Sequence, residues 1–145
     1  GSASFIMIYE DTSIRIYNNS VIRLVSDRYS MLNHSELALF VGKVIVEADD
    51  NLDYSFIVNT PSTKATVSGT NFLAEYQEDL LFNGVDYSIF TVLEGIIELE
   101  NLNSNLSMYL LNGETVVSTY SGKFLRLDTF REPQGIVNSL LEFRK

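Results

Sequence analysis

The chain has no cysteine, one histidine, two prolines and eight glycines in its 145 residues. Without cysteine, disulfides and thiolate metal sites are impossible; many exported bacterial domains share this trait, and the absence fits export. The one imidazole, His34, leaves no second histidine for a metal site. Any serine-histidine or threonine-histidine nucleophile would have to be built on it. It sits in the polar stretch Leu32-Asn33-His34-Ser35-Glu36 and reads as a solvated loop residue. Basic residues are scarce too: 10 Lys and Arg against 19 Asp and Glu, a formal charge of −9. They are scattered singly apart from Arg144-Lys145, which argues against a nucleic-acid backbone or an anionic membrane as partner. The excess negative charge favours solubility. No run approaches the ~20 apolar residues that span a bilayer, and no secretion signal is visible. The chain starts with Gly1-Ser2 in place of Met, which resembles a protease scar and is expected to extend through Ala3-Ser4. The natural protein is therefore expected to be longer, with a leader, anchor or further domain outside this sequence. The phosphate-cradling G-x-G-x-x-G and Walker elements and the G-x-S-x-G nucleophile elbow are absent.

What is present is a β pattern. The chain is 46% hydrophobic and 20% charged, with nine Phe and eight Tyr as large core pieces. A chain of this length fits one domain and buries about two-thirds of its unfolded surface. Apolar residues alternate at period two: Ile14 and Ile16 around Arg15, Ile22 and Leu24 around Arg23, then Phe72, Ala74 and Tyr76. A longer face runs through Val85, Tyr87, Ile89, Thr91 and Leu93. This is the mark of half-buried strands. Turn signals recur at Asn18-Asn19, Asn33-His34, Val41-Gly42, Asp49-Asp50-Asn51, Thr60-Pro61, Ser68-Gly69, Asn83-Gly84, Glu94-Gly95, Asn112-Gly113 and Ser121-Gly122. With so few prolines and glycines, these turns lean on Asn, Asp and Ser. Their spacing predicts about twelve to fourteen short strands in a solenoid- or jelly-roll-like stack. Pro61 cannot donate to a ladder and belongs at a strand end or edge. Gly69 marks a bulge or a backbone angle that branched residues avoid. The fragments Gly42–Glu47 and Gly95–Glu100 are alike, each a Gly followed by a strand ending in an acid. After Pro133, Ile136, Val137, Leu140 and Leu141 fall at helical spacing, predicting a capping helix from Pro133 to Phe143.

Candidate chemistry is thin. Asp49-Asp50-Asn51-Leu52-Asp53 carries the D-x-N-x-D spacing of a calcium loop. The required Gly and twelfth-position Glu are replaced by Tyr54 and Thr60, so a polar turn is the reading. Glu47, Glu75, Glu94, Glu98 and Glu100 lie on or beside strands, and spacing alone brings no two of them to a glycosidase separation. Glu94, before Gly95, is placed to accept backbone hydrogen bonds and fix its turn. Asn-x-Ser sequons at Asn18, Asn33 and Asn105 are what a chain rich in Asn and Ser carries by chance.

Six ordered pieces do point somewhere. Ser20-Val21-Ile22-Arg23-Leu24 follows a G-S-x-hydrophobic-x-L pattern, with Asn19 where Gly is usual. Leu37 to Glu47 follows L-x-L-x-x-G-x-V-x-V. Phe56-Ile57-Val58-Asn59-Thr60-Pro61 follows F-x-V-x-T-P, and Ala65 to Phe72 follows A-x-V-x-G-T-x-F. Val92-Leu93-Glu94-Gly95 follows V-x-E-G, and Leu110 to Glu114 follows L-x-x-G-E. From about Ser20 to Gly113 the chain resembles the FecR family of bacterial extracytoplasmic domains. The resemblance implies an all-β domain outside the cytoplasm. In the best-known members it is the periplasmic half of a membrane-bound anti-sigma regulator, relaying a signal from an outer-membrane transporter to a sigma factor. The family has no established catalytic residues to carry over.

The expectation is thus an all-β, non-enzymatic interaction domain over residues 5–130, with a capping helix over 131–145. It has no catalytic, cofactor or metal residues and works by binding a protein or envelope partner. Strand addition at an open sheet edge is one route to that partner. Thr60, Pro61, Gly69, Thr70, Phe72, Glu94 and Gly95 are expected to hold its turns in shape. A second reading is a carbohydrate-binding module using Tyr54, Tyr76, Tyr87, Tyr109 and Tyr120. A glycosidase, which needs two facing carboxylates, ranks third.

Overall fold

A computed structural model describes residues 3–8, 12–27, 34–48, 55–67, 69–77 and 86–127. Among them are twelve strands: β1 (Ala3–Ile8), β2 (Thr12–Tyr17), β3 (Val21–Asp27), β4 (His34–Ala48), β5 (Ser55–Asn59), β6 (Thr63–Val67), β7 (Asn71–Gln77), β8 (Tyr87–Glu94), β9 (Ile96–Asn101), β10 (Ser107–Leu111), β11 (Thr115–Thr119) and β12 (Phe124–Leu127). Their number falls at the lower end of the twelve to fourteen strands read from sequence. The predicted helix over Pro133–Phe143 lies outside the described residues, as do the Asp49–Asp53 segment and Asn83-Gly84.

The strands form one curled, half-barrel sheet. It is folded into two arms that share β4. The short arm runs β3, the first half of β4, β5, β6, β9, β10. The long arm runs β1, β2, the second half of β4, β7, β8, β11, β12. Among the described strands only β4 and β5 pair in parallel. The ladder is therefore built of hairpins laid alternately in the two arms, where a solenoid would stack parallel coils.

Period-two alternation sends one side of each arm inward. From the short arm come Leu37, Leu39, Phe56, Val58, Ala65, Val67, Ile97, Leu99 and Leu110. From the long arm come Ile14, Val44, Val46, Phe72, Ala74, Tyr76, Phe90, Val92 and Val116. All pack into a single buried core. Each fully buried Phe there contributes roughly 1.5–3 kcal/mol by leaving water.

Among the described residues, the points where the chain crosses between arms share one backbone feature. The β2–β3 crossing has Asn19 at φ 62°, β4 itself changes arm at Gly42 (φ 107°), and the β6–β7 crossing has Gly69 (φ 57°). The β8–β9 crossing has Gly95 (φ 111°), and the β10–β11 crossing has Gly113 (φ 81°). Positive φ suits Gly, and Asn is among the few other residues that accept it. Asn19 therefore does the work of the Gly that the motif usually carries. The likeness of Gly42–Glu47 to Gly95–Glu100 has the same origin: each begins where the chain leaves one arm for the other.

Two sequence expectations are corrected. Val41-Gly42 is no reversal. The strand runs on through it, pairing with β3 and β5 before the glycine and with β2 and β7 from it onward. Asn33-His34 does not place His34 in a loop, because His34 opens β4, paired with Asp27 and Ser55. Residues Ala3 and Ser4 are the first two of β1 and pair with Tyr17 and Ile16.

Candidate interaction surface

The seven motif residues fall into two groups at separate places. Gly69, Thr70, Glu94 and Gly95 meet at one corner, where two crossings pack together. The Thr70 hydroxyl donates to the Ile96 carbonyl (2.8 Å), and Ala48 N–H donates to the Thr70 carbonyl (3.2 Å). A β-carbon at residue 95 would come within 2.8 Å of Thr70 Oγ1 and 3.1 Å of the Gly69 carbonyl. Only glycine lets the crossings approach so closely. Phe72 follows in β7 and is fully buried in the core. Glu94 is exposed, and the Thr70 hydroxyl ties the corner to Ile96. Gly69 needs the left-handed region, which branched side chains avoid. Gly69→Val is expected to cost more than ~1 kcal/mol, read as a lowered midpoint in chemical denaturation. An unchanged midpoint would show that φ at residue 69 is not constrained.

Thr60 and Pro61 belong to the turn closing β5 and β6. Thr60 N–H donates to the Thr63 carbonyl (2.8 Å), and Pro61, which has no N–H to give, is exposed. The Thr60 side chain is buried and opens a network that sequence reading missed. Thr60 Oγ1 shares a hydrogen bond with Ser88 Oγ (2.7 Å), and Ser88 Oγ with Ser62 Oγ (2.6 Å). Thr63 Oγ1 donates to Ser118 Oγ (2.7 Å), and Asn101 Nδ2 donates to the same oxygen (3.0 Å) and to the Thr119 carbonyl (2.9 Å). Asn101 Oδ1 accepts from the Asn103 and Ser104 backbone N–H groups. Thr60, Ser62, Thr63, Ser88, Asn101 and Ser118 are all 4% exposed or less. These hydroxyls and amide hold no acid, base or cation among them. They join the short arm's turn to β8 and β11 of the long arm, which makes them a polar seam in the core. One signal was present in sequence: Ser88 and Ser118 stand in the apolar phase of their strands, in step with Phe90 and Val116.

The outer face of the short arm carries exposed apolar side chains. On β9 and β10, Ile96 opposes Leu111 and Glu98 opposes Tyr109. Ile96 and Leu111 are about half exposed and Tyr109 is 60% exposed. The Glu98 carboxylate accepts a hydrogen bond from the Tyr109 phenol and, with its charge, holds that phenol's pKa above the usual value.

The edge of that arm is not open. Strand β10 pairs only with β9 among the described residues. Glu114 Oε1 accepts the Leu111 N–H (2.7 Å). Arg126, from β12 of the long arm, donates to the Tyr109 carbonyl (3.2 Å) and to Glu114 Oε2 (3.0 Å). The Arg126–Glu114 pair is half exposed and by itself worth little stability, roughly 0–1 kcal/mol. Its effect is to occupy outward backbone groups of β10, a known way of keeping an edge from pairing with another chain. Strand addition at β10 would first have to displace this clasp. Glu114 thus caps a backbone N–H of β10. Of the tyrosines in the carbohydrate reading, Tyr76 is in the core, Tyr87 is half-buried, and Tyr109 and Tyr120 are exposed on different elements; Tyr54 lies outside the described residues.

The sequence matches the family model described as FecR protein over residues 1–98. Two crystal structures, at 1.65 and 2.50 Å, of an inferred anti-sigma factor from Parabacteroides distasonis ATCC 8503 share this fold with a TM-score of 0.70 at 20% identity. The alignment covers 97% of this chain and 61% of that one, so the chain spans about three-fifths of the length of the protein it resembles. No curated protein matches the sequence.

Proposed function

The chain belongs to the FecR family, and from that premise we propose that it is a non-enzymatic, extracytoplasmic interaction domain in a signalling protein of the anti-sigma type. Its partner is another protein of the cell envelope, and it is met on the outer face of β9 and β10. The observation that carries this reading is Ile96, Leu111 and Tyr109 standing exposed together on one described face, while the opposite phase of the same strands (Ile97, Leu99, Leu110) is wholly buried. The likeness to an inferred anti-sigma factor supports the signalling context. The clasp of Glu114 and Arg126 favours contact through side chains over strand addition at this edge.

The test is made in the bacterium that carries the full-length gene. Deleting the gene defines the transcripts under its control. A Tyr109→Asp, Leu111→Asp double variant changes two exposed side chains and leaves the core intact. It is expected to shift those transcripts as the deletion does, with the protein present at normal abundance. Normal transcripts in the double variant, against a clear change in the deletion, would move the contact elsewhere. Binding of the purified chain to cell-wall glycans, lost on Tyr109→Ala or Tyr120→Ala, would favour the carbohydrate reading instead.

A further inference from the structure

The exposed side chains of the β9–β10 hairpin follow an order. Ile96 and Leu111 oppose each other at one end and stand about half exposed. Leu102 and Leu106, in the turn that joins the two strands at the other end, are exposed to a similar degree. Glu98 is exposed between these ends, two residues along β9 from Ile96 and so in the same outward phase. The turn is fixed by its backbone. Leu102 N–H donates to the Ser62 carbonyl (2.8 Å), and Asn101 N–H donates to the Leu106 carbonyl (2.8 Å). Both apolar ends are therefore in place before anything docks, which spares a partner the cost of ordering them.

The charge on this hairpin narrows the choice of occupant. Across the ladder Glu98 faces Tyr109 on one side and Thr66 on the other, neither of them a cation. The Tyr109 phenol donates to its carboxylate and orients it. Glu94, exposed just before the crossing glycine that leads into Ile96, faces Asn71. Two cations stand near: Arg126 is held by Glu114, and Lys64 lies opposite Glu100. On the outer face of the long arm the signs are mixed, with Lys43 opposite Glu75. A second copy of the chain would set the same acids against each other across a two-fold contact, and like charges brought together oppose binding. A wholly apolar segment would cover the Glu98 carboxylate without giving it a counter-charge, which is costly.

We infer that the segment docking on β9 and β10 is a protein segment carrying a Lys or Arg between apolar side chains, its cation received by Glu98 and its apolar groups by Ile96 with Leu111 and by Leu102 with Leu106. The inference rests on the reading that this face meets a protein, and adds the chemistry of that protein. Glu98 is the residue that selects the partner, and the apolar ends give the contact its area.

The experiment uses the full-length gene in its own bacterium and the transcripts that its deletion shifts. Glu98→Lys is compared with Glu47→Lys, the same charge change at an exposed acid on the outer face of the long arm, where residue 47 faces Ser13 and Asn71. Glu98→Lys is expected to shift the transcripts as the deletion does, at normal protein abundance, and Glu47→Lys to leave them at the parent level. Equal shifts in the two would trace the effect to net charge and overturn the proposal. No shift in Glu98→Lys, where Tyr109→Asp with Leu111→Asp does shift the transcripts, would keep the contact face and remove the cation. No shift in either would remove both. Should Glu98→Lys lower the abundance, Glu98→Gln decides, since it keeps the shape and an acceptor for the Tyr109 phenol. It is expected to shift the same transcripts part of the way, and parent levels in that variant would overturn the proposal.

Discussion

Gly42→Ala is expected to destabilise the domain by ~3 kcal/mol or more, lowering Tm by about 10 °C for a chain of this size. Two penalties combine there. Residue 42 sits at φ 107°, where a side chain is strained whatever the space. A β-carbon would also fall within 2.6 Å of Ser20 Cβ and closer still to its Oγ and Cα. Ser20 cannot retreat, because its hydroxyl donates to the Lys43 carbonyl (3.1 Å) and accepts the Lys43 N–H (3.0 Å). Next to it the Lys43 ammonium lies 4.7 Å from the centre of the Tyr17 ring. Ser20→Gly should not rescue the variant, since the Ser20 backbone is itself part of the clash. Gly113→Ala is the control: it has positive φ but nothing within 4 Å of the added carbon. It is expected to cost only about 1 kcal/mol. Thermal unfolding by circular dichroism reads both. Equal losses at the two positions would show that backbone angle alone, and not the approach of Ser20, sets the requirement for glycine at residue 42.

Asn101→Leu is the second large effect, expected at roughly 3–4 kcal/mol. The side chain is fully buried and its amide nitrogen serves Ser118 Oγ and the Thr119 carbonyl. Leucine has similar bulk but supplies neither bond, and each buried polar group left without a partner costs about 1–3 kcal/mol. The Asn103 and Ser104 N–H groups also lose their acceptor, but they lie nearer the surface and can turn to water. Asn101→Asp separates the explanations. Its carboxylate can still accept from those two N–H groups but cannot donate to the Thr119 carbonyl, which it would repel. The variant is therefore expected to stay well below the parent in stability. Denaturant midpoints make the test. A midpoint for Asn101→Leu equal to the parent's would mean that the seam is not a significant source of stability.

Both results bear on how far the fold was legible in the sequence. Alternation identified Phe72, Ala74 and Tyr76 as one inward face, and the turn chemistry of Thr60-Pro61 marked a real hairpin. These are local signals, set by a period of two and by a ring that fixes φ. Gly42 was legible as a special backbone position but not as a change of arm. A positive φ says that the chain bends, and only its distant neighbours decide whether it reverses or crosses over. The hydroxyl seam was harder still. Serine and threonine are common in turns, and nothing near Thr63 in sequence shows that its partner is Ser118. The clasp had the same obstacle, since two glutamates beside glycines, Glu94 and Glu114, look alike until β12 brings Arg126 to one of them. The acid-tethered Tyr109 was in the pool of candidate aromatics, but its exposure followed only from where β10 lies in the sheet.

The bond from Thr63 to Ser118 spans 55 residues, and it bears on how the molecule is made. A nascent chain that has emerged from the ribosome only as far as β10 has its β5–β6 hairpin complete but lacks the donor's far partner. The contacts of Thr60 and Ser62 with Ser88 would then be available, but those of Thr63 and Asn101 with Ser118 would not. Contacts this distant in sequence slow the search for the native state. The last part of the seam thus closes only when β11 is synthesised.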